Sequence, residues 1–87
     1  MKVYVLVEAS AGEEPVGFDN LQLFTSPNKA QKALKKRYKD VRDSIIDYGT
    51  ITDDDFGEGY YTLVLEEDDC TTTFEGRIFE KELKVNL

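Results

Sequence analysis

The chain lacks histidine and tryptophan, and its 87 residues include one cysteine, Cys70. Without histidine, the Ser-His-Asp and Cys-His arrangements of nucleophilic catalysis are excluded. Zinc and the redox metals need several histidine or cysteine ligands, so their sites are excluded too. A single cysteine forms no internal disulfide, which predicts a cytoplasmic protein. No run approaches the roughly 18 apolar residues of a membrane span, so no membrane partner is expected.

A calcium site was the one metal site that the acidic residues suggested. Asp53, Asp54 and Asp55 resemble the front of a calcium-binding loop. Counting from Asp53, however, puts Glu58 where the EF-hand loop requires glycine, and Val64 where it requires a bidentate glutamate. The acids also fall in polar segments rather than in a cleft that would raise one pKa for acid–base work. The sequence therefore predicts a protein that is not an enzyme and needs no metal or cofactor.

Charges of the two signs are separated along the chain. The 18 acidic and 11 basic residues give a net charge of −7. Residues 26–48 carry seven basic and three acidic side chains, whereas residues 43–76 carry eleven carboxylates and no lysine or arginine. The acids form two clusters, which are Asp53, Asp54, Asp55 and Glu58, and Glu66, Glu67, Asp68 and Asp69.

Residues 27–48 are predicted to form a long amphipathic helix. Ser26 can accept a hydrogen bond from a free amide of the first turn, and Pro27 suits the first helical position. Gly49 is expected to end the helix as a left-handed cap. Apolar residues recur at spacings of three and four, as a buried helix face requires: Ala30, Ala33, Leu34, Tyr38, Val41, Ile45 and Tyr48.

The opposite side of this helix carries a basic face, formed by Lys32, Lys35, Lys36, Lys39 and Arg42. Arg37 falls instead at the margin of the apolar stripe. Its stem is therefore expected to lie along the sheet while its guanidinium reaches water or a carboxylate.

Two strands are predicted before the helix. Residues 2–8 alternate Val3, Val5 and Val7 on one face with Tyr4 and Leu6 on the other, which is typical of an interior strand. Residues 9–20 favour a loop, and residues 20–25 are predicted to return as a strand antiparallel to the first.

The segment after the helix is predicted to be mostly β-structure. Residues 50–59 are expected to form a loop or a single helical turn, followed by a strand over 60–66 that points Tyr61, Leu63 and Leu65 inward. Residues 67–69 supply a turn. Residues 71–75 and 77–85 are then two strands joined by a turn at Glu75 and Gly76, or one long bent strand with a glycine bulge.

These elements predict a single α+β domain over residues 1–87, of two layers, with one long helix on a mostly antiparallel sheet of four to five strands, in the order ββαβββ. The helix covers one sheet face. The other face is left partly exposed, and the strand phases place Tyr4, Leu6, Tyr60 and Val64 on it.

Three functions are compatible with this arrangement. The favoured hypothesis is a small interaction or regulatory module whose two acidic clusters dock on a basic protein partner, of which imitation of the phosphate row of a nucleic acid is one version. The plain alternative is that the acids only keep the domain soluble.

The second function is nucleic-acid binding through the basic helix face, although the charge of −11 outside the helix opposes it. The third is self-association, through the open sheet face or a carboxy-terminal strand ending in Leu83, Val85 and Leu87, which would give a weak homodimer rather than a monomer.

Overall fold

The computed structural model describes residues 1–12 and 17–84, with the backbone alone for 17–19, and packs one helix on one face of a five-stranded sheet. Neighbouring strands are all antiparallel, in the order β2-β1-β5-β4-β3. The predicted two-layer α+β fold with the order ββαβββ is confirmed. The elements are β1 (Lys2–Ala11), β2 (Gly17–Phe24), α1 (Pro27–Ile45), β3 (Thr50–Gly57), β4 (Tyr60–Glu67) and β5 (Cys70–Glu82).

The helix begins as predicted and ends three residues early. The hydroxyl of Ser26 accepts a hydrogen bond from the amide of Lys29 at 3.5 Å, and Pro27 occupies the first turn. Ile46 is the C-cap, with helical φ and ψ. The predicted left-handed cap at Gly49 is wrong. Gly49 is required instead by a close approach, since an added Cβ would lie 2.3 Å from the carbonyl oxygen of Glu66.

Residues 50–57 form an edge strand, β3, and the predicted loop or helical turn is wrong. The strand pairs with β4, and its register shifts between Ile51 and Asp53. Ile51 and Phe56 pack against the core. Aspartates are tolerated because one side of an edge strand faces water, where charge also discourages pairing with another chain.

Residues 70–82 form one continuous strand, β5, so of the two alternatives the single long strand is confirmed and the two strands joined by a turn are wrong. The pairing of β5 with β1 and with β4 continues through Gly76 without a shift in register, so the strand has neither a turn nor a bulge at this residue. An added Cβ at Gly76 would lie 2.2 Å from the Tyr61 ring. Gly76 therefore makes room for a neighbouring aromatic side chain. Val85 and Leu87, the last residues of the predicted strand, lie outside the described residues, as do residues 13–16 of the predicted 9–20 loop. The loop prediction is wrong for residues 9–11 and 17–20, which belong to β1 and β2.

The phase predicted for β1 is also wrong. Leu6 is fully buried in the core beneath the helix, and Tyr4, two residues away, shares that face. Val3, Val5 and Val7 therefore lie on the open face. Tyr60 and Val64 do lie on the open face, because they alternate with the buried side chains of β4.

The core lies between the helix and the covered sheet face. Six buried side chains form it, and Tyr38 and Val41 of the helix pack against them as partly buried neighbours. The predicted inward residues of β4 and of the helix are thus confirmed, except Tyr48, which is 72% exposed after the end of the helix. The six are Leu6, Leu34, Ile45, Tyr61, Leu63 and Leu65. Within the described residues, no helix has the length and hydropathy that crossing a membrane requires.

Candidate functional site

The two predicted acidic clusters lie along the same side of the sheet. Their carboxylates stand on the edge strand β3, the β3–β4 turn, the end of β4 and the β4–β5 turn, and Glu66 pairs with Thr50 at the start of β3. β3 has eight residues, about 26 Å of extended chain. The eight acidic residues of the two clusters are all exposed. We call this set the acidic edge; it consists of Asp53, Asp54, Asp55, Glu58, Glu66, Glu67, Asp68 and Asp69.

Asp54 differs from the rest of the acidic edge because it faces the helix. The Tyr38 hydroxyl donates a hydrogen bond to Asp54 Oδ1, and Arg42 Nε lies 2.8 Å from Oδ2. Both hydrogen bonds lower the pKa of Asp54, and the bond from Tyr38 has the larger effect. The same bond raises the pKa of Tyr38. Asp54 therefore joins the helix to β3, and its charge is already compensated.

The other seven carboxylates of the acidic edge make no ion pair with a lysine or arginine of the described residues. Asp55 accepts a hydrogen bond from the Tyr60 hydroxyl at 3.2 Å, and the Asp55 charge is the main reason that the pKa of Tyr60 is raised. Negative charge thus accumulates along β3 and its turns, and among the described residues Arg42 is the one cation that forms an ion pair with it.

The basic helix face is smaller than predicted. Lys32, Lys35, Lys36 and Lys39 are exposed on the outer side of the helix. Arg42 is half-buried and turns toward Asp54, so it is not available to a phosphate backbone. Four lysines remain where the sequence predicted five cations, which weakens the case for nucleic-acid binding.

A buried carboxylate, Glu8, was missed by sequence reasoning. It is 2% exposed on the covered face of β1. It accepts hydrogen bonds from Asn20 Nδ2 at 2.7 Å, from the Tyr61 hydroxyl at 2.7 Å and from Arg37 Nε at 2.9 Å. The expectation that Arg37 reaches a carboxylate is confirmed. With these donors in place, Glu8 holds the helix to the sheet, and its position among apolar residues of β1 was the only signal in the sequence.

A groove of about 550 Å³ opens between the start of α1 and the β3–β4 turn. Tyr4, Phe56 and Ile78 form apolar walls, and Glu58 and Glu80 contribute carboxylates. Gln31 fixes the turn beside it: its Nε2 donates to the Gly57 carbonyl at 3.2 Å, and its Oε1 accepts from the Gly59 amide at 2.8 Å. No local pattern in the sequence indicates this groove, because its walls come from four distant segments.

The open sheet face is apolar on its β2–β1–β5 side. Leu21, Leu23 and Phe79 are 62%, 65% and 45% exposed, and the strand register places all three beside the valines of β1. β2 forms the edge opposite to β3, and residues 20–24 carry no charge. The open face therefore has an apolar half and, toward β3, an acidic half.

In the described ranges, no three histidine, cysteine, aspartate or glutamate side chains converge on a position for a metal ion. Comparisons of the chain with models of protein families, with curated proteins and with solved structures find no match.

Proposed function

We propose that this protein is a non-enzymatic interaction module whose acidic edge docks on the basic surface of a protein partner. The observation that carries the proposal is the alignment of seven exposed carboxylates, none paired with a described cation, along one edge of the sheet. Because β3 is hydrogen-bonded to β4 along its length, these charges stand on regular structure rather than on a flexible tail.

Electrostatics gives this surface a defined binding behaviour. Clustered charges of one sign create a potential of several kT, which raises the rate of encounter with an oppositely charged partner. Salt screens such exposed charges, since the Debye length falls from about 10 Å at 0.1 M to about 3 Å at 1 M. Binding through the acidic edge should therefore weaken steeply as salt is added.

A lysine-rich peptide tests the proposal directly. We would measure, by fluorescence anisotropy, the affinity of a labelled peptide of alternating lysine and serine at about 50 mM and about 0.5 M salt. The test variant combines Asp53→Asn, Glu66→Gln and Glu67→Gln. The control, called the helix variant, makes the same change in charge at three exposed positions outside the acidic edge: Asp40→Asn and Asp43→Asn on the helix, and Asp47→Asn in the turn that follows it.

We expect the edge variant to bind at least about fivefold more weakly than the wild type, and the helix variant to stay within about twofold. Equal weakening of both variants would show that only net charge matters, and salt-independent binding would remove the electrostatic mechanism. The natural partner would then be sought by capture at both salt concentrations, with the edge variant as the negative control.

Self-association is a second candidate, favoured by the exposed apolar half of the open face. Packing the apolar halves of two open faces against each other would bury Leu21 and Leu23. Light scattering should then show a dimer that Leu23→Lys abolishes and that Ile46→Lys, another exposed apolar position on the helix end, leaves intact. A wild-type monomer at high concentration would eliminate this candidate.

A further inference from the structure

We propose that the groove between the start of α1 and the β3–β4 turn binds the side chain of an arginine of the basic partner. This inference rests on the proposed function and gives the acidic edge one specific anchor point. Glu58 belongs both to the acidic edge and to the groove, so a partner lying along β3 would reach the groove at the turn.

The lining has the chemistry that an arginine side chain needs. The groove volume of about 550 Å³ lies within the range of small-ligand sites. The apolar walls formed by Tyr4, Phe56 and Ile78 suit the alkyl stem. A guanidinium is planar and weakly hydrated, so it stacks on aromatic rings and pairs with carboxylates more readily than an ammonium does. Glu58 and Glu80 supply those carboxylates.

Charge in the groove favours a cation. No lysine or arginine is among the described residues that line the groove. Lys2 approaches Glu80 at 3.1 Å from outside, but both side chains of this pair are more than half exposed, so an incoming guanidinium can replace the ammonium at little cost. The start of α1 contributes an opposing partial positive charge of about half a unit. Two full negative charges outweigh it.

The groove is formed before any ligand arrives. Gln31 binds both Gly57 and Gly59, and the Gly59 carbonyl accepts a hydrogen bond from the Ile78 amide at 2.9 Å. These bonds fix the β3–β4 turn against the helix and against β5. A preformed site pays less entropy on binding than one that must order a loop.

Nuclear magnetic resonance titration tests this site with small probes. The probes are Nα-acetyl-arginine amide and its neutral isostere Nα-acetyl-citrulline amide, added to the 15N-labelled full chain. We expect saturable shifts of the amides of Gly57, Gly59 and Ile78 with a millimolar dissociation constant, as a single side chain allows. Citrulline should bind at least about tenfold more weakly, since it lacks the charge.

Two variants of equal charge separate the groove from the rest of the acidic edge. Glu58→Gln with Glu80→Gln should weaken arginine binding at least about fivefold, whereas Glu66→Gln with Glu67→Gln, at the far end of β4, should leave it within about twofold. Near-equal binding of citrulline, equal weakening by both variants, or shifts spread over the whole acidic edge would each overturn the groove as an arginine site. Several-fold tighter binding of Nα-acetyl-lysine amide, titrated in the same way, would overturn the choice of arginine.

Failure of the groove and failure of the proposed function give different results. If the groove is wrong but the acidic edge docks basic partners, the lysine-rich peptide still loses affinity with the edge variant while the arginine probe shifts nothing at the groove. If the acidic edge does not dock basic partners, the edge variant binds the lysine-rich peptide as tightly as the wild type does, whatever the arginine probe shows.

Discussion

The Glu8–Arg37 pair gives a quantitative test of how the helix is held on the sheet. Glu8 is buried, and Arg37 is the one cation that contacts it among the described residues. Arg37→Met keeps most of the stem and removes the guanidinium. The variant therefore leaves a negative charge in the core with only the neutral donors Asn20 and Tyr61.

The expected loss is about 2–3 kcal/mol. Removing one partner of a buried ion pair costs about 3–5 kcal/mol, and the Arg37 side chain is 37% exposed, so water entering from that side recovers part of this. A domain of 87 residues has roughly 4–13 kcal/mol of stability in total. The single substitution should therefore remove a substantial fraction of it.

Adding Glu8→Gln to Arg37→Met should restore at least about 1 kcal/mol, because the glutamine is neutral and still accepts a hydrogen bond. Urea unfolding followed by far-ultraviolet circular dichroism measures the three free energies of unfolding. Lys36→Met, an exposed neighbour on the same helix, is the control and should change stability by less than about 0.5 kcal/mol. A loss below about 1 kcal/mol for Arg37→Met, or a double variant no more stable than the single one, would refute the reasoning.

Three further predictions concern single residues. Because the pKa of Asp54 is lowered in the folded state, its carboxylate stabilises the fold above about pH 4, and this contribution is lost as the pH falls through the lowered pKa. In thermal melts between about pH 5 and pH 2, the Asp54→Asn variant should therefore lose less stability than the wild type. An equal loss would contradict the assignment. Gly76→Ala should cost about 1–3 kcal/mol in urea unfolding, since the new Cβ meets the Tyr61 ring at 2.2 Å; a neutral change would mean that Tyr61 moves freely. Gly59 has φ 82°, so its replacement by alanine should lower the free energy of unfolding by about 1 kcal/mol. Replacement by asparagine, which tolerates positive φ, should lower it by less, and the reverse order would show that backbone strain is not the cause.

The helix could be predicted because its signals are local. Ser26 and Pro27 mark the start, and the apolar spacing defines the buried face. The end was misplaced because Tyr48 continues that spacing by chance, although it is exposed after the last turn. The apolar spacing predicts which face of the helix can be buried, whereas contact with the sheet determines how far along the helix that burial extends.

The strands that were missed depend on distant partners. The three aspartates of β3 lower its intrinsic preference for a strand, but pairing with β4 and the packing of Ile51 and Phe56 override that preference. Gly76 signals a turn in the local sequence. Its real role, making room for the Tyr61 ring, depends on a residue of the neighbouring strand.

The phase of β1 could not be read because both of its faces are apolar. The rule that charged residues point outward would place Glu8 on the open face and carry Leu6 with it. The structure buries both, since Arg37 of the helix supplies the charge that Glu8 needs. One buried ion pair thus reverses the interpretation of a whole strand.

The acidic edge was partly visible in the sequence, since the absence of cations over residues 43–76 is a matter of counting. Folding added two things that counting could not supply. It aligned both clusters at one sheet edge, and it compensated the charge of Asp54 by pairing it with Arg42.

The sheet order also affects how the chain can be synthesised. β1 lies inside the sheet, and Val5 pairs with Phe79, so the amino-terminal strand lacks one of its two neighbours until the ribosome has released β5. Until β5 is synthesised, Leu6 and the valines of β1 are therefore incompletely covered, even if the β1–β2 hairpin and the helix have already formed. Pairing between such distant segments slows folding, because the intervening chain must be ordered before the contacts form, and during this interval the chain is most exposed to chaperones and to aggregation.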